Sequence, residues 1–262
     1  MKLNDKEFLI TGLANKKSVA YFTASLLKEY GAKVVFSVYE SNFEKAQSLF
    51  PEDPIYICDV EKEESVTQLG QTILSKGHRL SGMLHSIAFA NYSEGIKPFI
   101  ETKSSDFLQA AHISCFSLIS LSNAIKSSLV EDASIVTVSI SSTKATSYGY
   151  MGPIKAMLDA TVPFLAKSFS GFSKVRVNAV CSGPLKTSAS AGIPGYVDNY
   201  LFSEQLTLRG KNLKTEEVAS TILFLLSPLS SGINGQGIVV DAGMGCNYFD
   251  EKVISSFIKT SF

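Results

Sequence analysis

Tyr148 and Lys155 place a phenol and an ammonium seven positions apart in the segment SSTKATSYGYMGPIKAMLDA. Seven residues of α-helix make about two turns with roughly 20° of drift, so a hydrogen-bond donor and a fixed positive charge would share one face. Pro153 constrains where that helix starts. Proline lacks an N–H and belongs in a first turn, which puts the start near Tyr150 or Met151 and leaves Tyr148 at or just before it. A core tyrosine with a surface lysine satisfies the same spacing, so the pair takes its meaning from its surroundings.

Those surroundings begin at TGLANKKSVA. Gly12 ends an apolar run, Ala14 follows in the loop, and Ser18-Val19-Ala20 opens a helical stretch. Small residues at such a turn let the backbone approach a pyrophosphate, although a plain strand-to-helix turn explains one glycine equally well and GxGxxG is absent. A second apolar run ends in Val38-Tyr39-Glu40. Glu40 there would accept hydrogen bonds from a ribose 2′-hydroxyl and repel a 2′-phosphate, which favours NADH; alternatively Glu40 is a solvated turn residue and Tyr39 faces adenine. A third ends in Cys58-Asp59-Val60, where Asp59 either accepts the adenine amino proton or caps the next helix. A fourth ends in HSIAFAN at 85–91, whose Ile87, Ala88 and Ala90 would pass close to the inner ribose.

The elements that must hold these loops follow from periodicity. Strand-length apolar runs at 6–11, 33–38, 54–58, 80–86, 133–140, 174–180 and 236–240 alternate with helical patterns at 18–30, 41–49, 62–76, 103–128, 152–171 and 214–227. Ser41, Thr67 or its neighbours, and Thr215 read as helix caps. This alternation predicts an α/β fold: a single Rossmann-like, doubly wound domain over 1–262, with a seven-stranded parallel sheet. The longest stretch without a clear strand, between Pro184 and Thr215, carries Tyr196, Tyr200 and Phe202 and reads as a lid, with a helical substrate-binding loop at about 186–210. The tail at about 246–262 has an amphipathic period suited to packing on its own domain or a neighbouring subunit.

Composition narrows the partners. With 24 Lys and Arg against 24 Asp and Glu, the chain has no overall field to hold nucleic acid or an acidic membrane surface. No apolar run reaches the roughly 18 residues that span a bilayer, and the start MKLNDKEFLITG lacks the pattern of an export signal, so a cytoplasmic protein is expected. Four scattered cysteines and three histidines without ligand spacing predict buried thiols, no disulfides and no metal.

Taken in order, Gly12-Leu-Ala-Asn15 with Ser18-Val19-Ala20, Asp59-Val60, HSIAFAN, Tyr148-x6-Lys155, Arg176-Val177-Asn178-Ala179 and Ser182-Gly183-Pro184-Leu185-Lys186-Thr187 resemble the bacterial enoyl-acyl-carrier-protein reductases over about residues 3–245. These are divergent short-chain dehydrogenases/reductases, and HSIAFAN with the six-residue Tyr/Lys spacing separates them from the common type. The resemblance implies hydride transfer from NADH, with NADPH not excluded, to an enoyl thioester on acyl carrier protein, the final step of the fatty-acid elongation cycle. It implies that Tyr148 stabilises the enolate oxyanion and that Lys155 holds the nicotinamide ribose. It implies cofactor contacts at Gly12, Ala14, Ser18, Val19, Tyr39, Asp59, Val60, Ile87, Ala88, Leu185, Thr187 and Ala189, substrate contacts at Ala90, Ile140, Tyr148 and Met151, and a homotetramer.

Two positions depart from the family pattern. Ile140 stands where a tyrosine usually follows the fifth strand, in a connection two residues shorter, and His112 stands where Asp usually precedes Ile-Ser. His112 is either a proton-relay group or a helix histidine bonded to backbone. The altered loop also leaves open a reductase of another carbonyl or enone, or a dinucleotide-binding protein without turnover.

Overall fold

The computed structural model describes residues 2–95, 97–187, 190, 192–247 and 249–259. Strands β1 (Glu7–Thr11), β2 (Lys33–Val38), β3 (Ile55–Ile57), β4 (Leu80–His85), β5 (Leu129–Ile140), β6 (Arg176–Ser182) and β7 (Gly237–Val240) form one sheet in the order β3-β2-β1-β4-β5-β6-β7. Every neighbouring pair is parallel. All strand ends that carry candidate residues therefore open on the same edge. The order reverses between β1 and β4, which opens a crevice there.

Helices cover both faces because alternate strand residues point to opposite sides. Phe8 and Ile10 of β1 join one core with α1 (Val19–Glu29) and α8 (Thr215–Leu226), while Leu9 joins a second core with α3 (Glu63–Ser75), α5 (Ser117–Ile125) and α6 (Met151–Phe169). Burying each such Leu, Ile or Phe contributes about 1.5–3 kcal/mol relative to leaving it in water. The remaining helices are α2 (Phe43–Leu49), α4 (Ser104–Ala111), α7 (Tyr196–Leu206) in the expected lid segment, and α9 (Glu251–Lys259) in the amphipathic tail.

Several expectations change in detail. β5 starts at Leu129 rather than 133, and β6 runs to Ser182. The 103–128 pattern is interrupted: α4 passes through a π-helical turn, His112–Phe116, before α5. Across Ser104–Ser128 the chain is long and apolar enough to span a membrane, with mean hydropathy 1.2, contrary to the sequence expectation. Half of that stretch is nonetheless buried inside the fold, and Leu118, Leu121 and Ile125 are core residues. Thr67 lies inside α3, and Thr215 is the first residue of α8, whose start is closed by the Glu217 carboxylate accepting the Lys214 N–H at 2.8 Å. Cys58, Cys115 and Cys181 are buried free thiols, whereas Cys246, expected to be buried, is exposed in the 3-10 turn Met244–Cys246 after β7.

Candidate active site

At the crevice, Gly12 has φ +80°, and a Cβ built on it would lie 1.9 Å from the Ser86 carbonyl oxygen. Only glycine lets the β1 and β4 exits approach this closely. Thr11 locks them together, its Oγ1 donating to Leu84 O at 3.0 Å and accepting from Ser86 N–H at 3.3 Å. The chain then crosses Ala14 to Ser18, whose Oγ accepts the Tyr21 N–H at 3.2 Å and donates to Asn15 O at 2.7 Å. α1 has no acidic residue in its first turn, so the free N–H groups around Val19 present a positive end suited to a pyrophosphate.

Along the β2–β3 side, Tyr39 and Glu40 are both exposed, Glu40 opening a 3-10 turn. Asp59 accepts the Glu61 N–H at 3.1 Å and pairs with Lys62 at 3.1 Å. Val60 is half-buried, and its carbonyl bonds His112 Nε2 at 3.2 Å. His112 is thus a helix histidine held by backbone.

The π-helical turn holds the 86–91 segment. Ser114 Oγ accepts Phe89 N–H at 2.9 Å and donates to Phe89 O at 3.2 Å. Asn91 is fixed from both sides: its Nδ2 donates to Asp106 Oδ1 at 3.0 Å, and its carbonyl accepts Tyr150 OH at 3.1 Å. Ile87 is half-buried and Ala88 exposed along this crevice wall. Beneath them His85 is fully buried, with Nε2 2.8 Å from Ser117 Oγ and Nδ1 2.8 Å from Thr137 Oγ1. Ser117 spends its own proton on Ile113 O. It therefore accepts from His85 Nε2–H, and Thr137 donates to Nδ1. Burial, with the Lys155 charge second, pushes the imidazole down to about 3, so it stays neutral.

Tyr148 ends a 3-10 turn (Thr146–Tyr148), and Gly149, at φ +58° and ψ −145°, turns the chain into α6. That conformation is essentially confined to glycine, so Gly149 sets where the phenol stands relative to the helix. Tyr148 packs in one cluster with Ala90 and Met151, joining three of the four expected substrate residues. Ile140 does not join them; it ends β5 opposite Ser182. Burial holds the Tyr148 phenol well above its usual range, and the neighbouring Tyr92 and Tyr196 push the same way. One turn into α6, Lys155 is 5% exposed and donates to Val138 O at 2.8 Å. Burial lowers it to about 8, against Asp159, Cys115 and Cys181, which favour the charged form. An ammonium carries three donors, so two remain for a vicinal diol such as a ribose.

At the β6 exit, Tyr196 OH donates to Leu185 O at 2.8 Å and accepts Leu185 N–H at 2.9 Å. Thr187 N–H donates to Ser190 Oγ at 2.9 Å. Ala189 lies outside the described residues. Sequence reasoning missed Tyr92, Tyr150, Ser114, Ser117 and Asp159. Tyr196 alone had a signal, the aromatic run at 196–202.

Residues 12–245 match the family model described as enoyl-(acyl carrier protein) reductase. Among curated relatives, the NADH enoyl-[acyl-carrier-protein] reductase of a Nostoc species is 36% identical over 93% of this chain and 97% of its own length. The NADPH enoyl-[acyl-carrier-protein] reductase of Staphylococcus aureus is 34% identical over 93% of this chain and 98% of its own. A crystal structure of the Bacillus cereus enoyl-acyl carrier protein reductase with NADP+ and indole naphthyridinone superposes with a TM-score of 0.87 at 31% identity, covering 93% of this chain and 98% of that one. The family-model match across residues 12–245, together with relatives of this identity and coverage, places the chain in the enoyl-(acyl carrier protein) reductase family.

Proposed function

We propose that this chain reduces the trans-2 double bond of enoyl thioesters carried on acyl carrier protein, with NADH as the preferred dinucleotide. The observation that carries this is the convergence of Tyr148, Ala90 and Met151, with a buried Lys155 one turn further along the helix that Met151 opens. The dinucleotide supplies the hydride when bound. Gly12, Ala14, Ser18 and Val19 would hold its pyrophosphate, Tyr39, Asp59 and Val60 the adenosine, and Ile87, Ala88, Lys155, Leu185, Thr187 and Ala189 the nicotinamide half.

Negative charge builds on the thioester oxygen during reduction. A phenol that remains protonated at neutral pH can donate to that oxygen more strongly in the transition state than in the ground state, and burial keeps Tyr148 in that form. Lys155 orients a ribose hydroxyl pair through its remaining donors and, while protonated, adds positive potential beside the developing charge. Met151 and Ala90 exclude water from the acyl chain, and Ile140 would line its far end.

The chain is read as one domain over 1–262, with 186–210 as the substrate loop and 246–262 as a docking tail. Exposed apolar side chains on α4, α5 and α6, among them Leu108, Ile119, Met157 and Phe164, support a homotetramer packed through these helices. A cytosolic location fits the burial of half of Ser104–Ser128 within the fold. The deciding assay follows NADH consumption with crotonyl and octenoyl thioesters. Turnover that falls at least about a hundredfold in Tyr148→Phe is expected, and no turnover on any enoyl thioester would reject the reading.

A further inference from the structure

Four tyrosines crowd the entrance to the Tyr148 site, and their hydroxyls have different commitments. Tyr150 OH donates to Asn91 O at 3.1 Å. Tyr196 OH is engaged twice by the Leu185 backbone. Tyr148 and Tyr92 make no hydrogen bond through their hydroxyls among the described residues, and both line one cleft that also takes in Gly149, Tyr150 and Ile193.

Tyr92 stands close enough to Tyr148 for ionisation of one to oppose ionisation of the other. Its ring lies beside that of Tyr150, with centroids 6.2 Å apart, and Tyr150 in turn is bonded to the carbonyl of Asn91, next to Tyr92 in the chain. A half-buried phenol without a protein acceptor is an incomplete arrangement unless a ligand or water supplies one. Tyr92 leaves the β4 exit and brings its hydroxyl to the cleft that Tyr148 lines.

We infer that Tyr92 is a second phenolic donor to the enoyl substrate, acting beside Tyr148 on the thioester end of the acyl chain. This rests on the reductase reading above. The role is hydrogen-bond donation alone, with no proton transferred. Burial pushes the Tyr92 phenol up to about 12, so it remains a donor throughout the working pH range.

The test compares wild type, Tyr92→Phe, Tyr148→Phe and the double variant on crotonyl and octenoyl thioesters with NADH. A parallel fluorescence titration measures binding of a saturated octanoyl thioester to the NAD+ complex. Phenylalanine keeps the ring packed on Tyr150, and an unchanged melting temperature checks that it does. A donor role predicts that Tyr92→Phe lowers kcat by about tenfold with KM within a factor of two, on both chain lengths. It also predicts that the loss in the double variant is smaller than the product of the single losses, because the two donors serve one oxygen. Unchanged kcat in Tyr92→Phe overturns the inference. So does a loss confined to KM and octanoyl binding for the longer chain, which would make Tyr92 a wall. Wild-type protein inactive on every enoyl thioester defeats the reductase reading and this role with it, whereas an active wild type with a silent Tyr92→Phe defeats only the latter.

Discussion

Lys155 on α6 donates to the Val138 carbonyl of β5 at 2.8 Å, which ties a buried ammonium to the strand whose exit leads to Tyr148. Holding that charge out of water has a consequence for stability. In the unfolded chain a lysine titrates near 10.4, whereas here burial lowers Lys155 to about 8. Between these values the unfolded chain binds a proton that the native protein has released, so stability from this group rises with pH. The buried thiols Cys58, Cys115 and Cys181 are pushed up and act in the opposite direction, so the comparison must isolate Lys155. In urea unfolding from pH 8 to 10, the stability difference between wild type and Lys155→Met should move toward wild type by about 1 kcal/mol per pH unit. Parallel curves would mean that the ammonium reaches water. NADH affinity should weaken over the same range as Lys155 loses its charge.

His85 gives the complementary acid effect. Its native value of about 3 lies below the roughly 6.5 of an unfolded histidine. As pH falls through 6.5 the unfolded chain gains a proton that the native protein refuses, and stability is lost at up to about 1.4 kcal/mol per unit. His85→Asn should be less stable at pH 7 because it abandons Ser117 or Thr137, yet its stability should fall less steeply than wild type between pH 6.5 and 5. An equal slope would indicate that His85 can be protonated in place.

The Gly12 turn allows strain and collision to be separated. Gly12→Ala would suffer both a positive φ and the contact with Ser86 O, while Gly77, at φ +76°, has nothing within 4 Å of a built Cβ. Gly77→Ala should therefore lose only about 1 kcal/mol from backbone strain. Gly12→Ala should lose more stability than that and weaken NADH binding at least about tenfold by parting the β1 and β4 exits. Equal effects on stability, with NADH binding intact, would show that the crevice relaxes around a methyl group.

The sheet was legible because parallel strands buried on both faces leave unbroken apolar runs such as KVVFSV and RVNAV, and because helical period fills the gaps. Pro153 correctly placed the start of α6 and so the position of Tyr148 just outside it. The π-helical turn was not legible. HISCF continues an apolar helical pattern, and its extra residue shows only in tertiary bonds, Ser114 to Phe89 and Ser117 to His85. Tyr92 escaped notice for a related reason: it sits in a polar loop without period, and its nearness to Tyr148 depends on β4 lying beside β5. Ile140 ends β5 in register with Ser182 at the edge where the candidate loops leave the sheet, a placement that follows from strand pairing and not from its own residue type.

Similar relatives divide between NADH and NADPH, and the charges at the end of β2 give a test of which dinucleotide this chain prefers. Glu40 is exposed in the turn after Tyr39, and its charge reaches Lys62, which also pairs with Asp59. A 2′-phosphate entering this corner would meet two carboxylates, with Lys62 already engaged by them. Glu40→Gln keeps the size and hydrogen-bonding capacity of the side chain while removing one negative charge and leaving Lys62 freer to face a phosphate. The ratio of kcat/KM for NADPH over NADH should rise roughly five- to tenfold, as expected for removing one like-charge contact near a protein surface, and the gain should shrink in high salt. An unchanged ratio would move the discrimination to Tyr39, whose ring would then select by stacking rather than by charge.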